Sequence, residues 1–140
     1  MVNIRLANLD DCKKCAKLSE IEELKTATGT FITENYFRIF VDEDEMFFVA
    51  EENEEIAGYI LGEPRKGKLA NLGLLTVSKN HRNKGIGKKL VGEFRKKCDE
   101  KGLKHILLYA PKFNENTIEF YKKCGFTKGK EHVNFLEVRK

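Results

Sequence analysis

The 140-residue chain is short of several things, and each absence removes a class of function. No apolar run approaches the ~18–20 residues of a membrane span. The first residues, Met1-Val-Asn-Ile-Arg-Leu6, lack the long apolar core of a signal peptide. The four cysteines therefore read as reduced thiols of a cytoplasmic protein. His81, His105 and His132 form no metal spacing, and Cys12-Lys-Lys-Cys15 has no second ligand pair, so no metal is expected. No Ser/His/Asp or paired-carboxylate arrangement is recognisable. Repeats, linkers and low-complexity tracts are missing too, which points to a single domain over residues 1–140. A dinucleotide fingerprint fails, because Gly85-Ile-Gly87 is followed by Lys88-Lys89-Leu90 and no third glycine. The near P-loop Gly62-Glu-Pro-Arg-Lys-Gly67-Lys68 ends in Leu69, so the hydroxyl that would hold magnesium is absent and a basic hairpin turn is the better reading.

What is present describes a soluble globular protein. Hydrophobic residues make up 41% and charged residues 34%, a composition that excludes a disordered chain. The net charge of +4 is mild but unevenly spread. Asp42, Glu43, Asp44, Glu45, Glu51, Glu52, Glu54 and Glu55 crowd one segment, and residues 79–104 are dense in lysine and arginine. Such asymmetry suits an anionic cofactor and a cationic acceptor. Nucleic-acid binding is not indicated, since the basic residues centre on a turn and are not interleaved with stacking aromatics.

Periodicity gives the order β-α-α-β-β-β-α-β-α-β. Strands are expected over residues 2–6, 45–50, 56–61, 69–77, 105–110 and 133–138. A first helix, capped by Asp10 or Asp11, is expected to run to about Leu24, and a second starts after Thr33. A third follows Gly85 with Ile86, Leu90, Val91, Phe94 and Cys98 on one face, closed by Gly102. Asn116 and Glu119 suggest a capping box for a fourth, ended by Gly125. The expected fold class is α/β, a mixed sheet of six or seven strands.

The most informative residues are Arg82-Asn83-Lys84-Gly85-Ile86-Gly87-Lys88, between the apolar run ending at Val77 and a helix start. The first N–H groups of a helix lack partners and carry the positive end of the dipole, which makes an anion site. Gly85 and Gly87 would let a phosphate approach the backbone, and Lys88 and Lys89 add charge.

The stretch Arg82-x-x-Gly85-x-Gly87 resembles the acyl-CoA pyrophosphate loop of the GNAT-type N-acetyltransferases. A second segment, Asn114-Glu-Asn-Thr-Ile-Glu-Phe-Tyr121-Lys-Lys-Cys-Gly125-Phe126, is similar to that family's N-x-x-A-x-x-x-Y-x-x-x-G-F, with Thr117 in the alanine place. Together they cover roughly the last two thirds of the chain. The resemblance implies a mostly antiparallel sheet flanked by about four helices, with a V-shaped opening between the strands ending near Val77 and Ala110. It implies acetyl-CoA as co-substrate and a primary amine, of a small molecule or a peptide or protein, as acceptor. Transfer would be direct, in a ternary complex. A homodimer is allowed; a nucleic acid or membrane partner is not implied. The rival readings are a non-catalytic CoA-binding module and an enzyme for a bulkier acyl-CoA.

Carried over residue by residue, the backbone of Leu75, Thr76 and Val77 would run beside the pantetheine, with the Val77 N–H aimed at the thioester oxygen. The amides of Arg82, Asn83, Lys84, Gly85, Ile86, Gly87 and Lys88 would hold the pyrophosphate, and His81 would flank it. Asn114 would hydrogen-bond the pantetheine arm. Tyr121, a phenol with pKa near ~10, would protonate the departing thiolate. The strand 69–77 carries no carboxylate, so the general base is left among Glu63, Glu51 and Tyr109.

Overall fold

A computed structural model describes residues 1–140. The chain runs β1 (Asn3–Leu6), α1 (Cys12–Leu18), α2 (Glu34–Phe40), β2 (Phe47–Glu52), β3 (Glu55–Arg65), β4 (Leu69–Val77), α3 (Ile86–Glu100), β5 (His105–Leu107) and α4 (Glu115–Lys123). Five strands in the order 1-2-3-4-5 form one sheet. Its first three pairings are antiparallel and the last, β4 with β5, is parallel. No helix is long and apolar enough to cross a membrane.

Strand alternation sends side chains to two core layers. Ala50, Ile60, Leu72 and their neighbours pack under α3, whose Ile86, Leu90, Val91 and Phe94 form the apolar face expected from the sequence. Val49, Tyr59 and Leu61 pack on the other side against Cys12, Cys15 and Phe37 from α1 and α2. The centre of β3 is consequently buried on both faces. Burying rings such as Phe37 and Phe94 contributes about 2–3 kcal/mol each. The β1–α1 corner is pinned electrostatically. Desolvation opposes ionisation of Asp11, yet the Arg5 guanidinium at 2.8 Å and the Asn8 N–H outweigh it and hold the carboxyl below its ordinary range.

Four expectations are corrected. The first helix stops at Leu18, because Ser19 is buried, bonds back to the Cys15 carbonyl at 2.7 Å and meets the Tyr59 hydroxyl at 2.6 Å. The cap of α4 is Asn114, whose side chain accepts from the Thr117 N–H at 3.3 Å, so Asn116 lies inside the first turn. The last strand does not form, and β5 ends at Leu107 instead of Ala110. Glu131 and His132 come beside Lys112 and Tyr109, but Val133, Phe135 and Val138 stay largely exposed. Their alternation finds no buried face, and Pro111 offers no N–H for a ladder. The sheet therefore has five strands where six or seven were expected; the mixed, mostly antiparallel class and the four helices stand.

Candidate active site

The site is built on an irregularity in β4. Leu61 pairs with Leu74, but Gly62 pairs with Leu72, which leaves Gly73 as the extra residue of a β-bulge. On the other edge, β5 pairs with β4 only at Leu69, Ala70 and Asn71. From the bulge onward β4 has a neighbour on one side alone. This is the expected V-shaped opening.

Alternation decides which groups face it. The Ser78 N–H donates to the Ala57 carbonyl of β3 at 2.8 Å. By the two-residue period, Thr76 also turns its backbone toward β3, whereas Leu75 and Val77 turn theirs into the opening. The Val77 carbonyl confirms that direction by accepting from Arg82 Nε at 3.1 Å. Of the three residues assigned to the pantetheine, Leu75 and Val77 thus have free edges. Thr76 is instead turned toward β3, where it is paired with Tyr59. Desolvation pushes the Tyr59 phenol up to about 12, against its hydrogen bond with Ser19, which acts the other way.

The opening leads straight into the loop before α3. Asn83 and Gly85 both have positive φ, 64° and 79°, and the αL turn at Gly85 exposes the helix start. Lys89 is the first residue of α3 to bond back, to the Gly85 carbonyl at 3.1 Å. No side chain caps the helix, so the N–H groups of Ile86, Gly87 and Lys88 remain free. A Cβ on Gly85 would meet nothing within 4 Å, so the space before the helix end is open to a ligand. Gly87 has a different job from the one its sequence suggests. A Cβ there would lie 3.0 Å from the Phe120 ring and 3.7 Å from Val77, so this glycine lets α4 close against α3.

The loop side chains are tethered. His81 turns inward, its Nδ1 2.6 Å from Ser78 Oγ and its Nε2 3.6 Å from Glu52. Lys84 lies 3.7 Å from the same Glu52 oxygen. Nothing in the chain signals this anchor in advance, because Glu52 belongs to an acidic run that reads as solvated surface. The rest of that run scatters as well: Glu51 pairs with Arg5, and Glu54 and Glu55 sit at the β2–β3 turn.

On α4, Tyr121 packs edge-on against Phe120 and Phe126 at the margin of the layer that also receives Leu75 and Val77. Burial pushes its phenol well above the ordinary value, so the hydroxyl keeps its proton at neutral pH. Asn114 spends its side-chain oxygen on the helix cap and retains its NH2 as a donor.

A cavity of about 360 Å³ lies on the opposite face of the sheet, at the bulge itself. Gly73 and Leu74 form one wall; the segment between α1 and α2, with Thr30, Phe31 and Ile32, and Tyr36 of α2 form the other. Gly73 carried a usable signal, since an isolated glycine inside a strand pattern suggests a bulge. The cavity's other wall carried none. Among the base candidates, Glu51 is occupied by Arg5, and Tyr109 is 69% exposed beside His132. Glu63, which has Arg65 at 3.6 Å as its own ion-pair partner, is paired with Asn71 next to the bulge and is close enough to help burial raise the Tyr36 phenol.

Known proteins are similar to this chain in sequence and in fold. An uncharacterized N-acetyltransferase of Methanocaldococcus jannaschii is 29% identical over 98 residues, covering 65% of this chain; the match spans 43% of that protein's length. Ard1 from Thermoplasma volcanium superposes with a TM-score of 0.80 at 23% identity, over 92% of this chain and 84% of that one. PaiA N-acetyltransferase from Thermoplasma acidophilum, solved with coenzyme A, gives 0.74 at 21% identity over 94% and 93%. An aminoglycoside acetyltransferase from an uncultured soil metagenomic sample, in complex with sisomicin, gives 0.76 at 22% identity over 99% and 97%. At such identities the structures attest the fold. The profile of the Acetyltransferase (GNAT) family matches residues 13–126, from α1 to the end of the Tyr121 motif, and the chain belongs to that family.

Proposed function

We propose that this protein is an acetyl-CoA-dependent N-acetyltransferase acting on a primary amine by direct transfer in a ternary complex. The observation that carries the reading is the continuity of the free edge of β4 with the uncapped start of α3. One groove thus offers strand-type hydrogen bonds to an amide-bearing arm and helix-end N–H groups to its pyrophosphate. Acetyl-CoA supplies the acetyl thioester when bound.

In this reading Ile86, Gly87 and Lys88 donate their N–H groups to phosphate oxygens, and the αL turn at Gly85 gives access. Arg82, Asn83 and Lys84 shape the loop, with Arg82 tied to the Val77 carbonyl and Lys84 to Glu52. Leu75 and Val77 present backbone groups to the arm, and an N–H from this edge polarises the thioester oxygen. Thr76 keeps that edge in place through its pairing with Tyr59 of β3, and the Asn114 NH2 reaches the arm. Tyr121 holds its proton on Oη until a leaving sulfur needs it. Glu63, beside the bulge, accepts the amine proton through water.

The test combines two measurements on one preparation. Calorimetry should show CoA binding, and mass spectrometry after incubation of acetyl-CoA with a panel of amines should show products heavier by one acetyl group. Tight CoA binding with no acetylated product in a broad panel would leave only the binding module.

A further inference from the structure

We infer that the acceptor is a small monoamine with an apolar or aromatic body, held in the cavity between Gly73 and Phe31. The inference rests on the transfer reaction proposed above and adds the substrate class. Its basis is the chemistry of the wall. Hydroxyls come from Thr26, Thr30 and Thr33, apolar surface from Phe31, Ile32 and Leu74, and no lining residue carries a charge. The volume, about 360 Å³, is at the small end of ligand sites.

Charge decides against a polycation. A second or third ammonium in this cavity would lose water without gaining a carboxylate, which is costly. Lys25 already lies over the Phe31 ring, 5.5 Å from its centroid, and pairs with Glu22 at 3.0 Å, so that carboxylate is already matched by a cation. The acidic run that suggested a cationic acceptor contributes nothing to the wall, since no residue of 42–55 lines it. One carboxylate, Glu63, acts on the cavity through Tyr36, and Arg65 lies 3.6 Å from it. A single carboxylate matches a single amine. The linked threonines, with Thr26 Oγ1 2.8 Å from Thr30 Oγ1 and 3.0 Å from Thr28 Oγ1, keep lone pairs for a hydroxyl on the body.

The experiment compares kcat/KM for phenethylamine, tyramine and spermidine at saturating acetyl-CoA and low salt. The aromatic monoamines should exceed spermidine by at least about tenfold. Phe31→Asp, on an exposed loop position, should shift the ratio toward spermidine while CoA affinity by calorimetry stays the same. Equal or better use of spermidine by the wild type, or a ratio unmoved by Phe31→Asp, overturns the inference. Should no amine be acetylated, the transfer reading fails and the cavity is judged by binding alone. Phenethylamine must then shift the NMR signals of Phe31 and Tyr36 in the CoA-loaded protein where spermidine does not, and unshifted signals overturn the inference as well.

Discussion

Ala70 and Leu75 lie on one strand, yet they meet different surroundings. Around Ala70, β4 is an interior strand, bonded to β3 on one side and β5 on the other, and Ala70 itself is fully buried. Around Leu75 the same strand is an edge, with one neighbour and one row of unspent backbone groups. The difference comes from one extra residue, Gly73, and from the early end of β5. A bulge bends and twists its strand, and a parallel neighbour cannot follow the bend. An exposed edge is ordinarily a liability. Here its unspent groups lead to a helix start with three free N–H groups, and the two together line the groove proposed for acyl-CoA.

The strongest way to test the open half is Tyr121→Phe. If the phenol gives a proton at the groove, kcat should fall by ~10²–10⁴-fold with little change in CoA affinity. Burial raises this phenol above its ordinary 10.0, so its proton is retained through neutral and mildly alkaline pH. The wild-type kcat should therefore show no falling limb from this group until above pH 10. A Tyr121→Phe protein with full kcat under chemistry-limited conditions removes the acid from the scheme.

The paired half is broken differently. A Cβ on Gly62 would lie 2.4 Å from the Asn71 carbonyl oxygen and 2.4 Å from the Phe94 ring. Gly62→Ala should cost about 3 kcal/mol by overpacking, read as a lower denaturant midpoint. An unchanged midpoint would mean that α3 does not press on the sheet there.

Gly85→Val separates binding from folding. The left-handed turn disfavours a β-branched residue, and the new side chain occupies the space before the helix end. CoA affinity should drop by about ten- to a hundredfold, equivalent to ~1.4–2.7 kcal/mol. Gly87→Val should act instead through stability and the seating of α4, because its contact is the Phe120 ring. Equal behaviour of the two variants would mean that the glycines share one role.

The smallest and most local effect is in hydrogen exchange. The amides of Leu75 and Val77 should exchange faster than that of Thr76 between them, and CoA should slow the first two selectively. Uniform protection along residues 74–77 before ligand is added would close the proposed groove.

Much of this was legible because it is local. The loop Arg82–Lys88, the helix after it and the Asn114–Phe126 segment are recognisable because helix ends, αL turns and caps are set by residues a few positions apart. The strand 69–77 was read to its observed boundaries for the same reason: its apolar run and flanking turns are contiguous. Where a neighbour had to be known, the reading failed. The strand expected over 133–138 had the alternation but no partner edge, and the first helix was stopped at Ser19 by Tyr59, which comes from another strand.

By itself, then, the amino-acid sequence determined that a basic glycine-bearing turn follows a strand, that a tyrosine-bearing helix comes later, and that the family is GNAT. Tertiary structure alone decided that Gly73 is a bulge, that Leu75 and Val77 face outward while Thr76 faces β3, and that Gly87 serves Phe120. It also placed Gly73 and Phe31, from separate elements, around one cavity, with Glu63 close enough to act on its Tyr36. The physical reason is that backbone direction and wall chemistry depend on register between strands, and register is a relation among distant residues that no single stretch of chain contains.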